Sequence, residues 1–96
     1  MTGDHLTCPH CRGEYLHHGR VIIYDRAEDA SRVTKIDVWD HSAWITKVDN
    51  KDSGNPSLRR RGLTMQFYCE ECDTTSELTI AQHKGASLVG WRNRGK

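Results

Sequence analysis

The chain has 96 residues, 35% of them hydrophobic, and its 14 Lys and Arg against 13 Asp and Glu leave a formal net charge of +1. That length holds one small domain and no second core, and so even a balance does not by itself call for nucleic acid or membrane as a partner. No run approaches the roughly 18 apolar residues of a spanning helix, and the start MTGDHLTCPHC lacks an apolar signal segment. The expectation is a cytoplasmic protein without membrane contact, one domain over 1–96, with flexible ends near 1–5 and 92–96.

In chain order, the first feature is Cys8-Pro9-His10-Cys11 with Gly13 behind it, where a left-handed backbone is often needed. Arg20–Asp25 (RVIIYD) has the β-branched content of a strand, and Arg26–Arg32 is a charged connection. Val33–Trp39 alternates like a half-buried strand, Ile36 and Val38 on one face, Asp37 and Trp39 on the other. Ser42–Val48 sets Trp44, Thr46 and Val48 against Ala43, Ile45 and Lys47, and the break at 40–42 suits a hairpin turn. The segment 49–62, rich in Asn, Asp, Gly, Ser and Pro, is a surface loop. Leu63–Tyr68 turns Leu63, Met65 and Phe67 inward against Thr64, Gln66 and Tyr68, then reaches Cys69-Glu70-Glu71-Cys72. Ser76–Gln82 and Ser87–Trp91 are two further strands meeting at a Lys84-Gly85 tip. The predicted fold is mostly β, an antiparallel sheet of about 5–6 short strands.

A CxxC on a tight turn places two sulfurs where both reach one tetrahedral metal at about 2.3 Å. Two such knuckles at strand edges make a zinc ribbon, with one structural Zn²⁺ held by Cys8, Cys11, Cys69 and Cys72. Fifty-seven residues separate Cys11 from Cys69, so extra strands and the loop are inserted between the knuckles. Four protein ligands leave no open position for catalysis. With no Ser/His/Asp constellation, Gly-rich phosphate loop or HExxH, no enzyme is expected.

Iron or an iron–sulfur centre would use the same donors, two disulfides would belong to an oxidising compartment, and a redox CxxC to a βαβ context that this chain lacks. The histidines read as surface or packed residues, with a second metal site at His17, His18 or His83 left open. Asp49, Asp52, Gly54 and Asn55 lack the register of a calcium loop.

Charge is patchy although its sum is small. Residues 53–69 hold Arg59, Arg60 and Arg61 and no acid, and residues 78–96 hold Lys84, Arg92, Arg94 and Lys96 and no acid, whereas Glu70, Glu71, Asp73 and Glu77 crowd the second knuckle. The leading expectation is therefore a non-enzymatic structural-zinc module that contacts nucleic acid or a nucleoprotein complex through Arg59, Arg60, Arg61, Lys84, Arg92 and Arg94, beside Tyr68 and Trp91. The alternative is a protein-interaction module anchored by Trp39 or Trp44, or an edge strand that pairs with a partner or a second copy. Core packing is the expected fate of at least two of the three tryptophans.

Cys8-Pro9-His10-Cys11 with Gly13-Glu14-Tyr15-Leu16-His17-His18, Gly54-Asn55-Pro56-Ser57 leading to Arg60-Arg61-Gly62-Leu63, Phe67-Tyr68-Cys69-Glu70-Glu71-Cys72 and Gln82-His83-Lys84-Gly85 together resemble a group of small zinc-ribbon proteins of phages and other bacterial mobile elements. The likeness runs from Cys8 to about Trp91. It implies the zinc-ribbon fold, and a regulator or inhibitor of host machinery or a DNA- or RNA-associated accessory protein. Where that group often has CxxCG, this chain has Arg12 before Gly13.

Overall fold

The computed structural model describes residues 4–93. Six strands form one antiparallel sheet: β1 (Leu16–Asp25), β2 (Arg32–Trp39), β3 (Ser42–Asp49), β4 (Gly62–Cys69), β5 (Thr75–His83) and β6 (Ala86–Asn93), in the order β3-β2-β1-β4-β5-β6. The mostly-β expectation is met. β1 starts four residues ahead of the expected Arg20, and β6 takes in Arg92 and Asn93, which the sequence placed in a flexible end. Pairing of Glu77 with Arg92 and of Ser76 with Asn93 holds them in the sheet. Among the described residues no helix is long and apolar enough to cross a membrane.

Turn chemistry sets the outer hairpins. Asp40 and His41 lie at φ of 53° and 64°, Lys84 and Gly85 at 51° and 82°. Two left-handed central residues make the tight turn whose twist matches its strands. The β1–β4 pairing is not local: it spans the insertion and joins Leu16 to Cys69 and Tyr24 to Gly62. In a bulge between His18 and Val21, Gly19 and Arg20 together stand opposite Gln66. Arg20 then reaches across to β2, where its Nε donates to Asp37 Oδ1 at 2.8 Å.

The pleat gives the sheet two unlike faces. One carries Ile22, Tyr24 and Val33, all buried, with Val48 packed on them, followed toward β5 by buried Thr64, Glu77 and Thr79. The segment between β3 and β4 lies over this face. It opens with a 3₁₀ turn, Asn50–Asp52, and is tied by its own short side chains. Ser57 Oγ accepts from the N–H groups of Arg59 and Arg60 and donates to the Gln82 carbonyl at 2.7 Å. Asn55 Oδ1 accepts from Ser57 N–H, and Ser53 Oγ from Asn55 N–H. The Gly54 carbonyl accepts from Arg92 Nη2 at 3.1 Å, and a Cβ on Gly54 would stand 3.3 Å from Tyr24 Oη. The predicted surface loop is thus a cover for the core, with Ser53 and Ser57 buried.

The opposite face carries two apolar rows that cross all six strands. One is Ala43, Val38, Val21, Met65, Leu78 and Trp91; the other is Ile45, Ile36, Ile23, Leu63, Ile80 and Val89. Their accessibility corrects the sequence reading of which side is inward. Phe67 is buried, but Leu63 and Met65 are only half-buried, while Thr64, expected outward, is 1% exposed. Alternation fixes which residues share a face. The loop, stapled by Ser and Asn side chains, decides which face is covered, and it covers the more polar one.

Candidate metal centre

Both CxxC turns are built alike. Cys8 N–H donates to the Gly13 carbonyl and Arg12 N–H to that of Cys8, each at 2.9 Å; Cys69 N–H donates to the Thr74 carbonyl and Asp73 N–H to that of Cys69, each at 3.0 Å. In each turn the residue after the second cysteine is left-handed, Arg12 at φ 65° and Asp73 at 57°. The sequence had placed that conformation at Gly13. Gly13 serves differently: its N–H donates to Cys11 Sγ at 3.4 Å, and a Cβ there would run into the Glu71 carboxylate of the other knuckle.

The first knuckle leads into β1, and β4 leads into the second. Because β1 and β4 are antiparallel neighbours, with Leu16 paired to Cys69 and Glu70 N–H donating to the Tyr15 carbonyl at 3.1 Å, the knuckles face each other across the long insertion. All four sulfurs lie within 4.8 Å of one another. Two cross-pairs, Cys8 with Cys72 and Cys11 with Cys69, are each 3.6 Å apart. A tetrahedral ion with bonds of about 2.3 Å needs sulfurs about 3.8 Å apart, whereas a disulfide needs about 2.05 Å. The four cysteines are free, and their spacing fits one four-coordinate metal ion.

Backbone groups prepare the site for thiolate. Burial opposes ionisation of Cys8, but the N–H groups of Cys11 and His10 and the thiols of Cys72 and Cys69 bring its pKa down to about 6. At Cys11 the Gly13 N–H favours the thiolate, yet desolvation and the other three cysteines push it up to about 12. Four sulfurs this close therefore part with a first proton readily and resist losing the last until a cation joins them. Thr74 Oγ1, 3.0 Å from Cys72 Sγ, is a contact the sequence reading missed; a hydroxyl two residues past a ligand cysteine is its signal.

The histidines stay outside this sphere. His17 pairs with Glu70, and His18 meets the Phe67 ring edge-on at 6.5 Å. Among the described residues the group able to hold a metal is the cysteine set alone.

The basic residues singled out in the sequence do not come together as one open patch. Arg59 Nη2 lies 3.2 Å from Glu28 Oε2 and 3.3 Å from Asp29 Oδ2, and Arg61 Nε 2.9 Å from Asp25 Oδ1. Arg60 is half-buried, its Nε without a hydrogen-bond partner among the described residues. Arg92 Nη2 lies 2.7 Å from Glu77 Oε1, whose side chain is buried under the loop. Lys84 stands at the exposed tip of the β5–β6 hairpin, and Arg94 falls outside the described residues.

Two tryptophans are on the surface. Trp39 is 52% and Trp44 50% exposed, and both point to the loop-covered side of the β2–β3 hairpin, Trp44 opposite Asp37 and Trp39 opposite Ser42. Core packing, expected for at least two of the three, describes only Trp91, half-buried with its ring edge-on to Phe67 at 5.9 Å. A hollow of about 380 Å³ on the open face is lined by Ile23, Ile36, Leu63 and Ile80 with Asp25 and Arg61 beside them. Comparison with family models, curated proteins and solved structures found no match for this chain.

Proposed function

We propose that the chain is a non-enzymatic, zinc-stabilised module that acts in the cytoplasm by binding another protein through its β2–β3 hairpin. Zinc suits the site because structural zinc favours four thiolates in a closed tetrahedron, and reduced cysteines suit a cytoplasmic setting. The observation that carries the reading is the pair of half-exposed tryptophans, Trp39 and Trp44, on one face of a hairpin. Exposed indoles that lie within reach on one face are the residue type most enriched among binding hot spots. Such a module fits the resemblance to phage proteins as a factor that blocks or redirects a host complex.

The nucleic-acid reading draws less support. Arg59, Arg61 and Arg92 each already face a carboxylate, so phosphate would have to displace an existing partner. The test is capture of partners on metal-loaded protein with and without nuclease. A partner retained after nuclease and lost from Trp39→Ala and Trp44→Ala, with fold and metal content unchanged, supports the protein reading. A nuclease-sensitive partner, with oligonucleotide affinity that falls steeply with salt and a slope reduced by about one ion in each of Arg59→Ala, Arg60→Ala and Arg61→Ala, would replace it with the nucleic-acid reading.

A further inference from the structure

A sheet with one apolar face must bury that face against a second layer. Here the loop between β3 and β4 covers the side bearing Tyr24 and Thr64, whereas on the other side only the metal end, at Phe67 and Ser76, is buried and the two apolar rows are half-buried or exposed. That other side is the more apolar of the two. Its rows run unbroken from Ala43 to Trp91 and from Ile45 to Val89, and a polar row with Lys47, Asp25 and Gln82 closes one end. Ile45 is 70% and Val89 68% exposed.

Size says how large the missing layer is. Six strands at about 4.8 Å spacing and about seven residues at 3.4 Å give a face of about 700 Å², of which the two apolar rows make up about 400 Å², the size of the largest apolar patch on a typical monomer. The molecule is open by two further measures. Its radius of gyration is 14.2 Å, against about 12 Å for a compact domain of this length. It exposes 6723 Å², against about 5,600 Å² for a compact monomer of 11.0 kDa.

We infer that the open face packs on the same face of a second copy of this chain, forming a two-layer sandwich across a two-fold axis parallel to the strands between β1 and β4. Two faces of this size bury about 1,400 Å², within the roughly 1,200–2,000 Å² of stable interfaces. A two-fold contact must be self-complementary, and this face is so along its strand order. Reversing β3-β2-β1-β4-β5-β6 brings Ala43, the smallest side chain of its row, over the partner's Trp91, the largest. The same operation sets the Asp25–Arg61 ion pair of each chain against that of the other in reverse order, Asp25 over the partner's Arg61 and Arg61 over the partner's Asp25, so the two pairs join in one four-charge network at the polar end. Aligned sandwiches of this kind leave about 10 Å between sheets. The inference does not depend on the tryptophan hairpin, since Trp39 and Trp44 point to the opposite side.

Sedimentation equilibrium on the metal-loaded full chain tests it. The expected mass is twice the 11.0 kDa of one chain at micromolar concentration. Ile45→Lys and Val89→Lys, both at sites exposed in the single chain, should keep the circular dichroism spectrum and metal content of the parent while weakening dimerisation on the order of 100-fold. D25R and R61D should each weaken the dimer alone and, mixed in equal amounts, form a heterodimer. A monomeric parent, or a dimer indifferent to both lysine substitutions, overturns the inference. A dimer lost in the lysine variants that gives no D25R–R61D heterodimer overturns the placement of the axis.

Discussion

Removing the metal should unfold this chain, and the structure says by how much. The ion joins residues that are remote in sequence: 57 residues lie between Cys11 and Cys69. A cross-link closing a loop of that length restricts the unfolded chain by about 4 kcal/mol, and metal–thiolate bonding brings the whole contribution to about 10–16 kcal/mol in small zinc domains. Net stability of a domain is about 5–15 kcal/mol in total. The core here consists of Ile22, Tyr24 and Val33 with Val48 against them, so little else replaces the ion. A strong chelator, with metal content followed by mass spectrometry and folding by far-ultraviolet circular dichroism, should abolish the strand signal and the cooperative melt together. Cys69→Ser, which removes a buried ligand, should do the same without chelator. A metal-free chain that keeps its spectrum and melts within a few degrees of the loaded protein refutes the argument.

Four smaller perturbations follow from the same geometry. Ser57→Ala removes three hydrogen bonds from a buried hydroxyl and should cost about 2–3 kcal/mol in urea denaturation, with faster exchange of the Arg59 and Arg60 amides. Arg92→Ala takes a partner from buried Glu77; the cost should be about 2–3 kcal/mol, short of a fully buried pair because the Arg92 side chain is 38% exposed. Arg12→Gly should hold or raise the melting temperature and Arg12→Val lower it, because φ is 65° there and a β-branched side chain fits that region poorly; equal melting temperatures would refute this. Acid should release the metal. The Cys8 thiol falls from 9.0 to about 6 in the folded chain, so its contribution is complete above pH 9 and is lost as pH falls toward 6. A metal indicator should report release as pH falls and protons compete for the sulfurs, and a metal content unchanged down to about pH 3 would contradict thiolate ligation.

The metal site was legible because its signal is local. CxxC twice, each at a strand edge, names the ligands without knowledge of the sheet order. The left-handed positions were harder, since Arg12 and Asp73 occupy them where a glycine would have announced itself. Strands and hairpins were readable from alternation and from turn residues such as Lys84-Gly85. What alternation could not convey was the choice of covered face at β4. Thr64 is buried under Asn50–Arg61 and Leu63 is not, because Ser53, Asn55 and Ser57 fold that segment back on the sheet. Those hydrogen bonds depend on where Gln82 and Arg92 arrive from β5 and β6. The acidic neighbours of the arginines were illegible for a similar reason: Arg59 and Arg61 meet Glu28, Asp29 and Asp25, acids some thirty residues away, which only the β1–β4 pairing brings near.

That pairing also dictates a schedule on the ribosome. β1, β2 and β3 can form a meander as soon as they emerge, since each pairs with its neighbour in sequence. Cys8 and Cys11 must wait for Cys69, and at about 5–20 residues per second the delay is about 3–11 s. During those seconds two thiols are unmetallated, and β1, destined for the middle of the sheet, is an edge strand with an open row of hydrogen-bonding groups. The arrival of β4 and its knuckle closes the edge and the metal site in one event, so a shortage of metal would be felt first by the newborn chain.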